Sequence, residues 1–312
     1  MIVVGAIDIG GTKIAVGVID DQGRILQKLE CPTEPESGFQ AGLQRIQQML
    51  KQCVQAAGVP IQGIGVGSAG PIDPFTGIYG RVDNLATWEG SNLMEPLERG
   101  FGVRVAVEND GDAAALAEAA WGVGRGKDRF IYVTISTGIC GGMVLNGELY
   151  RGVDNAHPEV GHFVIEASGP VCYCGARGCW EFLAAGPAMV AWMRANAPKG
   201  VTLPADLSAK EICRLAEQGD SLAKKAVEQE GYYIGVGLGN LIMMFCPDVI
   251  ALGGGVMNSA HLFMDRVRQV VRQNCTLVPA AKTELLMASM GADTGLAGAA
   301  RAWYNRFGKK PR

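Results

Sequence analysis

Three cysteines and one histidine form the most chemically specific pattern in the sequence. Cys172 and Cys174 are separated by one residue, Cys179 follows shortly after, and His162 precedes them. Thiolates and imidazoles are ligands that Zn²⁺ prefers, and four of them complete its tetrahedron. The spacing therefore predicts a zinc site whose ligands all come from the protein, which makes the metal structural rather than catalytic.

Two glutamates bracket this pattern, although a zinc ion with four ligands does not need them. Glu159 lies three residues before His162, and Glu181 lies two residues after Cys179. Each carboxylate accepts hydrogen bonds from two hydroxyls at once, which suits a polyhydroxylated ligand. We therefore expect the metal to shape a loop that delivers Glu159, His162 and Glu181 to a binding site.

Glycine-rich turns follow three segments that the pattern predicts to be strands. They are Gly10-Gly11-Thr12 between Asp8 and Lys13, Thr137-Gly138 after Ser136, and Gly253-Gly254-Gly255. Adjacent glycines let backbone N–H groups approach an anion, and a carboxylate at a strand end, such as Asp8, suits Mg²⁺ held through water. Each turn alone is compatible with a plain hairpin, but three together favour a cradle for nucleotide phosphates.

Asn109-Asp110 lies between a predicted strand and an alanine-rich predicted helix. One interpretation is an ordinary helix N-cap. The other is a general base, Asp110, beside an amide that orients a hydroxyl. The residues alone leave both interpretations open.

The elements around these motifs alternate between strands and helices. Strands are predicted at 3–8, 13–19, 24–30, 63–67, 103–107, 130–136, 142–145 and 248–252, and helices at 38–57, 112–120, 220–245, 259–273 and 294–307. Asn146-Gly147 predicts a hairpin turn, and Ser208 with Glu211 predicts a capping box. A strand–turn–strand pattern recurs in the second half. It predicts two related α/β domains, 1–118 and 119–295, with the first completed by a C-terminal helix, 296–312.

Composition excludes several classes of function. Of 312 residues, 48% are hydrophobic, and the net charge of −3 comes with no long basic run, so nothing favours nucleic-acid binding. The longest apolar stretch, 232–245, contains three glycines and is too short to span a bilayer. The start of the sequence lacks a signal-peptide pattern, and the remaining cysteines are expected to be packing residues. We expect a cytoplasmic protein with no membrane partner.

Taken together, these motifs resemble the ROK family (repressors, open reading frames and sugar kinases) across essentially the whole chain. The resemblance implies an α/β fold of two actin/hexokinase-like (ribonuclease H-like) domains around a central cleft. Asp8 to Lys13 resembles the first phosphate loop of the family, Ser136-Thr137-Gly138 the second, and Gly254-Gly255 the adenosine-side glycines.

The resemblance also implies the activity: ATP-dependent phosphorylation of a hexose, foremost glucose at its 6-hydroxyl. Asp110 would be the catalytic base, Mg²⁺ would accompany ATP, and Zn²⁺ would be structural. The implied sugar contacts are Gly70, Asn84, Asn109, Asp110, Glu159, His162 and Glu181. The implied assembly is a homodimer or a tetramer.

The chain departs from the family pattern at three places. The family often has Ala-Asn where this chain has Gly111-Asp112, and glycine where it has Cys140. A carboxylate at Asp112 would either raise the pKa of the neighbouring base or point away at the helix start. His157-Pro158-Glu159 resembles the fructokinase branch, whereas the complete cysteine set resembles the glucose and N-acetylhexosamine branches.

Several alternatives therefore stay open. The acceptor could be fructose, N-acetylmannosamine, N-acetylglucosamine, mannose or allose, and the donor could be polyphosphate, although no basic track favours it. A catalytically silent sugar sensor is the alternative of a different class. Repressors of the family carry a helix-turn-helix ahead of the first loop, which here begins by Asp8, so DNA binding is not expected.

Overall fold

The computed structural model describes residues 2–308, apart from the side chain of Asp83. Within this range the chain forms two five-stranded β-sheets with α-helices, the predicted mixed α/β architecture. The strands are β1 (Val3–Ile9), β2 (Lys13–Asp20), β3 (Ile25–Pro32), β4 (Gly63–Ser68), β5 (Arg104–Asn109), β6 (Arg129–Ile135), β7 (Ile139–Leu145), β8 (Glu148–Leu149), β9 (Val249–Gly253) and β10 (Glu284–Met287). The helices are α1 (Gly38–Ala57), α2 (Met94–Phe101), α3 (Asp110–Trp121), α4 (Trp180–Ala184), α5 (Gly186–Ala195), α6 (Ala209–Glu217), α7 (Ser221–Phe245), α8 (Met264–Asn274) and α9 (Thr294–Phe307).

The first sheet has the order β3-β2-β1-β4-β5. Its first three strands form an antiparallel meander, and β4 and β5 continue it in parallel with β1. Alternate residues of β1 face opposite sides, as the two-residue period of a strand requires. Ile7 and Ile9 belong to the same core cluster as α1 residues such as Ile46, whereas Ala6 packs in the cluster that contains Trp303 of α9.

Helix α9 lies very close to the first sheet. A Cβ atom on Gly65 of β4 would lie 1.8 Å from the carbonyl oxygen of Ala299, so only glycine fits there. The Trp303 indole N–H donates a hydrogen bond of 3.1 Å to the carbonyl of Arg104. Helix α9 is therefore part of the core of the first sheet.

Internal packing divides the chain into two compact units. Unit 1 comprises 1–130, 142–158 and 288–312, and unit 2 comprises 131–141 and 159–287. The second sheet has the strand order β10-β9-β6-β7-β8. The domain boundary predicted after residue 118 stays a prediction, and the predicted C-terminal helix beyond residue 308 lies outside the described residues.

The structure confirms most of the predicted elements and corrects one. The helices predicted at 38–57, 220–245 and 294–307 are α1, α7 and α9. Asn146 and Gly147 join β7 to β8 with φ of 52° and 79°, as the predicted hairpin turn requires. The helix predicted at 259–273 was wrong at its start, because a kinked 3₁₀ segment, Val256–Leu262, precedes α8. None of the helices within residues 2–308 combines the length and the apolar character that a bilayer crossing requires.

Candidate active site

The four predicted metal ligands converge in unit 2. The ligand atoms of His162, Cys172, Cys174 and Cys179 all lie within 4.8 Å of one another. The Sγ atoms of Cys174 and Cys179 are 3.5 Å apart, and His162 Nδ1 is 3.7 Å from Cys172 Sγ. Ligands about 2.3 Å from a tetrahedral zinc lie about 3.8 Å from each other. The donor set and its spacing therefore fit a zinc ion.

Tight turns bring the cysteines together. The backbone N–H of Cys172 donates to the carbonyl of Ala176. Gly175, with φ of 91°, donates its own N–H to the carbonyl of Cys172. A Cβ atom on Gly178 would lie 1.7 Å from the carbonyl oxygen of Glu166, so glycine is required there. A hydrogen bond from the Ala176 backbone lowers the pKa of the Cys174 thiol, which favours the thiolate that binds metals.

Two stacked aromatic rings hold together the two ends of the metal loop, the segment 162–181 that contains the four predicted zinc ligands. Phe163 follows His162 and stacks on Trp180, with ring centroids 5.3 Å apart. The backbone N–H of Trp180 also bonds to the carbonyl of Phe163. Trp180 is fully buried, and a Cβ atom on Gly237 of α7 would lie 2.0 Å from its indole. Because Glu181 follows Trp180 directly, the position of its backbone is set by this packing.

The Tyr173 side chain lies between His162 and Glu181, two residues of this loop that are predicted to bind the sugar. Its hydroxyl donates to Glu181 Oε1 and lies 3.1 Å from His162 Nε2. Burial, followed by the hydrogen bond and charge of Glu181, raises the pKa of Tyr173, so the phenol keeps its proton. Glu159 also contributes to this shift through its charge and is itself exposed. Glu181 and His162 are thus arranged to hold one hydroxyl group between them.

Glu181 also supports the second glycine turn. Its Oε2 atom accepts a hydrogen bond of 2.7 Å from the backbone N–H of Ile139, and a Cβ atom on Gly138 would lie 2.5 Å from the same oxygen. The turn is closed by a bond from Ser136 N–H to the Gly138 carbonyl. A single carboxylate therefore links the predicted phosphate loop to the residues of the metal loop.

A cavity of about 770 Å³ opens beside this turn within unit 2. Two predicted nucleotide contacts, Thr137 and Gly255, line it, and most of its wall is apolar. Gly254 does not line it, but its φ of 93° and a virtual Cβ 2.3 Å from the Ile135 carbonyl require glycine beside the wall. A mostly apolar cavity of this size with a few polar groups suits a nucleoside.

Unit 1 contains the first glycine turn. Gly10 N–H bonds to the Lys13 carbonyl, and the buried Thr33 donates its hydroxyl to the Gly10 carbonyl. Burial, followed by the charge of Asp110, raises the pKa of Asp8 to about 7. The Nζ atom of Lys13 pairs with Glu30 at 2.9 Å, and the charge of Lys13 opposes the rise in the pKa of Asp8. Asp8 and Asp110 are thus close enough to repel, an arrangement that a cation would relieve.

The same unit places the predicted base at the start of α3. Asn109 is the N-cap, and its Oδ1 accepts a bond of 2.8 Å from Gly111 N–H. Asp110 Oδ1 accepts from the same N–H at 2.7 Å. The capping role therefore belongs to Asn109. A Cβ atom on Gly70 would lie 2.8 Å from Asn109 Nδ2, so Gly70 and Asn109 are neighbours.

Asn84 lies against the first glycine turn. A Cβ atom on Gly11 would lie 2.6 Å from Asn84 Nδ2. Asn84 itself is exposed. Within unit 1 the structure thus places Asp8 near Asp110, Gly70 near Asn109, and Asn84 near Gly11.

Sequence patterns missed two features of unit 2. Tyr173 was treated as a spacer between two cysteines, although its hydroxyl bonds to Glu181. The wall of the cavity includes Pro187, Val190, Leu207 and Cys213, which carry no motif. Only Ser208 at the start of α6 marked that region, and its side chain accepts from Glu211 N–H, which is one half of the predicted capping box.

Comparisons with known proteins identify one family. The ROK family model matches residues 4–306. A glucokinase from Thermotoga maritima is 30% identical over 310 residues, covering 97% of each chain. A ROK hexokinase structure from Thermus thermophilus is 36% identical with a TM-score of 0.86, covering 98% of this chain and 99% of the other. A ROK family glucokinase from Streptomyces griseus, in complex with glucose and AMPPNP, is 31% identical with a TM-score of 0.79, covering 96% and 98%.

Proposed function

The chain belongs to the ROK family, and from that premise we propose that it transfers the γ-phosphoryl group of ATP to the 6-hydroxyl of glucose. It is a glucokinase-like sugar phosphotransferase. Glucose is the proposed acceptor because the Thermotoga maritima relative is a glucokinase and the Streptomyces griseus structure holds glucose with an ATP analogue.

One observation within unit 2 carries the proposal. Glu181 and His162 together hold a hydroxyl, that of Tyr173, with a carboxylate oxygen on one side and an imidazole nitrogen on the other. A sugar hydroxyl makes the same two bonds, since it is both a donor and an acceptor. Glu159, in the same unit, is proposed to take a further hydroxyl.

Asp110 is the proposed base. Phosphoryl transfer depends mainly on positioning and on neutralising charge, so one carboxylate that accepts the proton of the attacking hydroxyl suffices. Asn109 caps α3, which fixes the first turn of the helix that carries Asp110. Gly70, Asn84 and Asn109 are the further sugar contacts proposed for unit 1.

The ATP phosphates are proposed to bind at the two glycine turns, and the adenine base of ATP is proposed to bind in the 770 Å³ cavity. Thr12, Gly10 and Gly11 supply the first turn, and Thr137 and Gly138 supply the second. Asp8 is the group proposed to hold Mg²⁺, which would neutralise phosphate charge when bound. Gly254 and Gly255 let the backbone pass close to the nucleoside.

Zn²⁺ is proposed as a structural ion held by His162, Cys172, Cys174 and Cys179. When bound it would stabilise the loop, and all four of its positions would be filled by protein. Nδ1 of His162 faces the thiols, and Nε2 faces the hydroxyl position that the sugar is proposed to occupy. The family resemblance also leads us to propose a homodimer, which sedimentation would test.

The proposal is tested by measuring ADP release with ATP–Mg²⁺ and a panel of hexoses, compared as kcat/KM because specificity resides in that ratio. We expect glucose to give the highest value. A higher value for fructose or an N-acetylhexosamine would reassign the acceptor. No turnover with any hexose, together with saturable glucose binding, would identify a silent sugar sensor instead.

A further inference from the structure

Two of the unusual residues in the sequence, Asp112 and His157, contact each other in unit 1. His157 Nδ1 lies 2.9 Å from Asp112 Oδ2. Their side chains are only 13% and 2% exposed. Although they are far apart in the sequence, these two of the three departures from the family pattern form one feature.

Asp112 needs a partner at this position. It lies in the first turn of α3, two residues after Asp110, and a Cβ atom on Gly142 would lie 2.9 Å from its Oδ1. A carboxylate that is almost fully buried is costly unless a donor satisfies it. Oδ1 has no hydrogen-bond partner among the described residues, and the 2.9 Å contact of Oδ2 with His157 Nδ1 is an ion-pair contact rather than an aligned hydrogen bond.

Two arginines of unit 1, Arg151 and Arg306, pair with a different carboxylate. Glu108, the other buried carboxylate here, pairs with Arg151 at 2.5 Å and with Arg306 at 3.2 Å. Arg306 also donates to the carbonyl of Pro74. The two arginines therefore pair with Glu108, whereas His157 pairs with Asp112.

His157 lies at the end of an irregular segment. Asp154 and Asn155 both have positive φ, and Val153 is 83% exposed, so little side-chain packing holds this part of the chain. Pro158 is the last residue of this segment in unit 1, and Glu159 follows it. The contact with Asp112 is thus a tether between the start of α3 and the residues that lead into Glu159.

We propose that the His157–Asp112 pair is a positioning device for sugar binding. It fastens the segment leading into Glu159 to the helix that begins with Asp110. Neither residue is proposed to touch the substrate. The inference rests on the proposed function, since it gives Glu159 a sugar to contact, and it adds two residues to which no role was assigned.

Kinetics of four variants test the tether. His157→Ala and Asp112→Ala each remove it, and each should raise the glucose KM by about 10- to 100-fold, because small displacements of a binding group have effects of this size. The ATP KM should change by less than about twofold, since neither residue belongs to the glycine turns or to the cavity proposed for ATP. His157→Asn keeps a hydrogen-bond donor in place, and Asp112→Asn keeps an acceptor. The glucose KM of each variant should therefore stay within about fivefold of the wild-type value.

The matched control is His261→Ala. His261 pairs with Glu217 at the same 2.9 Å, but both side chains are about half exposed, so its removal should leave both KM values unchanged. Wild-type glucose KM in His157→Ala, or equal increases in the KM values for glucose and ATP, would overturn the proposal. So would a loss in thermal stability without a change in KM.

A second measurement does not depend on turnover. The chain has three histidines, so ¹⁵N-histidine labelling gives few imidazole signals to resolve. Asp112→Asn should shift the His157 Nδ1 resonance and leave that of His261 in place. An unmoved His157 signal would refute the tether. Absence of turnover by wild type with every hexose would refute the proposed function instead, so the two failures are distinguishable.

Discussion

The Tyr173 hydroxyl donates a hydrogen bond to the Glu181 carboxylate, although Tyr173 is 69% exposed. Tyr173 lies between two of the cysteines that converge on His162. Because Glu181 is a proposed sugar contact, a bound sugar and Tyr173 compete for the same oxygen. Under the proposed function, the phenol leaves this oxygen when the sugar binds.

Replacement of Tyr173 by Phe therefore removes a competitor. A hydrogen bond to a charged group contributes about 1.5–3 kcal/mol, of which water recovers a part. We expect the glucose KM of Tyr173→Phe to fall about threefold to tenfold, with zinc content and ATP KM unchanged. Tyr232→Phe, at another exposed tyrosine of unit 2, is the control. An increased glucose KM would mean that the phenol contacts the bound sugar.

Loss of one thiolate should release the metal. Cys174→Ser is expected to reduce the zinc content per chain to near zero and to raise the glucose KM much more than the ATP KM. The reason is that the loop fixes His162 and Glu181, whereas the cavity is lined by other residues. Elemental analysis and steady-state kinetics measure both effects. Cys246→Ser, at an exposed cysteine outside the cluster, should change neither. Full zinc retention by Cys174→Ser would contradict the ligand set.

Asp110→Asn tests the base. The amide keeps the oxygen that accepts from Gly111 N–H, so the helix start should survive. Loss of a general base lowers turnover by about 10²–10⁴-fold. We expect kcat to fall by that factor while the glucose dissociation constant, measured by calorimetry, changes little. Asp265→Asn, at a fully exposed position, serves as the control. A variant that keeps more than about a tenth of wild-type kcat would remove Asp110 from this role.

Filling the cavity should act on the nucleotide alone. Val190, on α5, contributes to its wall and is half-buried. We expect Val190→Trp to raise the ATP KM by at least about tenfold through steric exclusion, with little effect on the dissociation constant for glucose. Val201→Trp, at an exposed residue of the same unit, should have no effect. An unchanged ATP KM in Val190→Trp would place the nucleoside elsewhere.

Glu230 predicts a pH dependence of stability. It is buried in α7, its Oε1 has no hydrogen-bond partner among the described residues, and burial raises its pKa well above the usual value. Because the folded-state pKa of Glu230 is raised, the contribution of this carboxyl to the stability of the fold is fully present below the unfolded pKa of about 4.3. That contribution is lost as the pH rises towards the folded-state pKa. In that window this group lowers the free energy of unfolding by about 1.4 kcal/mol per pH unit.

Glu230→Gln removes this slope, since the amide stays neutral. Its melting temperature relative to wild type should therefore increase between pH 5 and pH 8. Glu228→Gln, on the same helix but 62% exposed, should show no such trend. A difference between Glu230→Gln and wild type that stays constant with pH would show that Glu230 titrates normally.

Local signals allowed much of the fold to be predicted. Asn146-Gly147 identifies a hairpin turn because few other residues adopt positive φ at both positions. Ser208 identifies the start of α6 because a side chain that caps a helix lies next to it in sequence. The convergence of the metal ligands was predictable for the same reason, since short turns leave the three cysteines little freedom.

Long-range contacts could not be predicted in this way. Asp112 and His157 were each recognised as unusual, but no local rule pairs two residues on separate elements. The wall of the cavity comes from segments that lack motifs, and Val190 and Cys213 look like ordinary apolar residues of amphipathic helices. The 3₁₀ segment before α8 was missed because its apolar spacing also fits an α-helix.

The burial of α9 against the first sheet has a consequence for biosynthesis. The α9 residues that cover one face of β1 and β4 are translated after the residues of unit 2 that follow Pro158. Until α9 has been translated, a ribosome-bound chain therefore carries an uncovered apolar sheet surface, and such surfaces invite aggregation and chaperone binding. A stop codon placed shortly before Thr294 would leave that surface permanently bare.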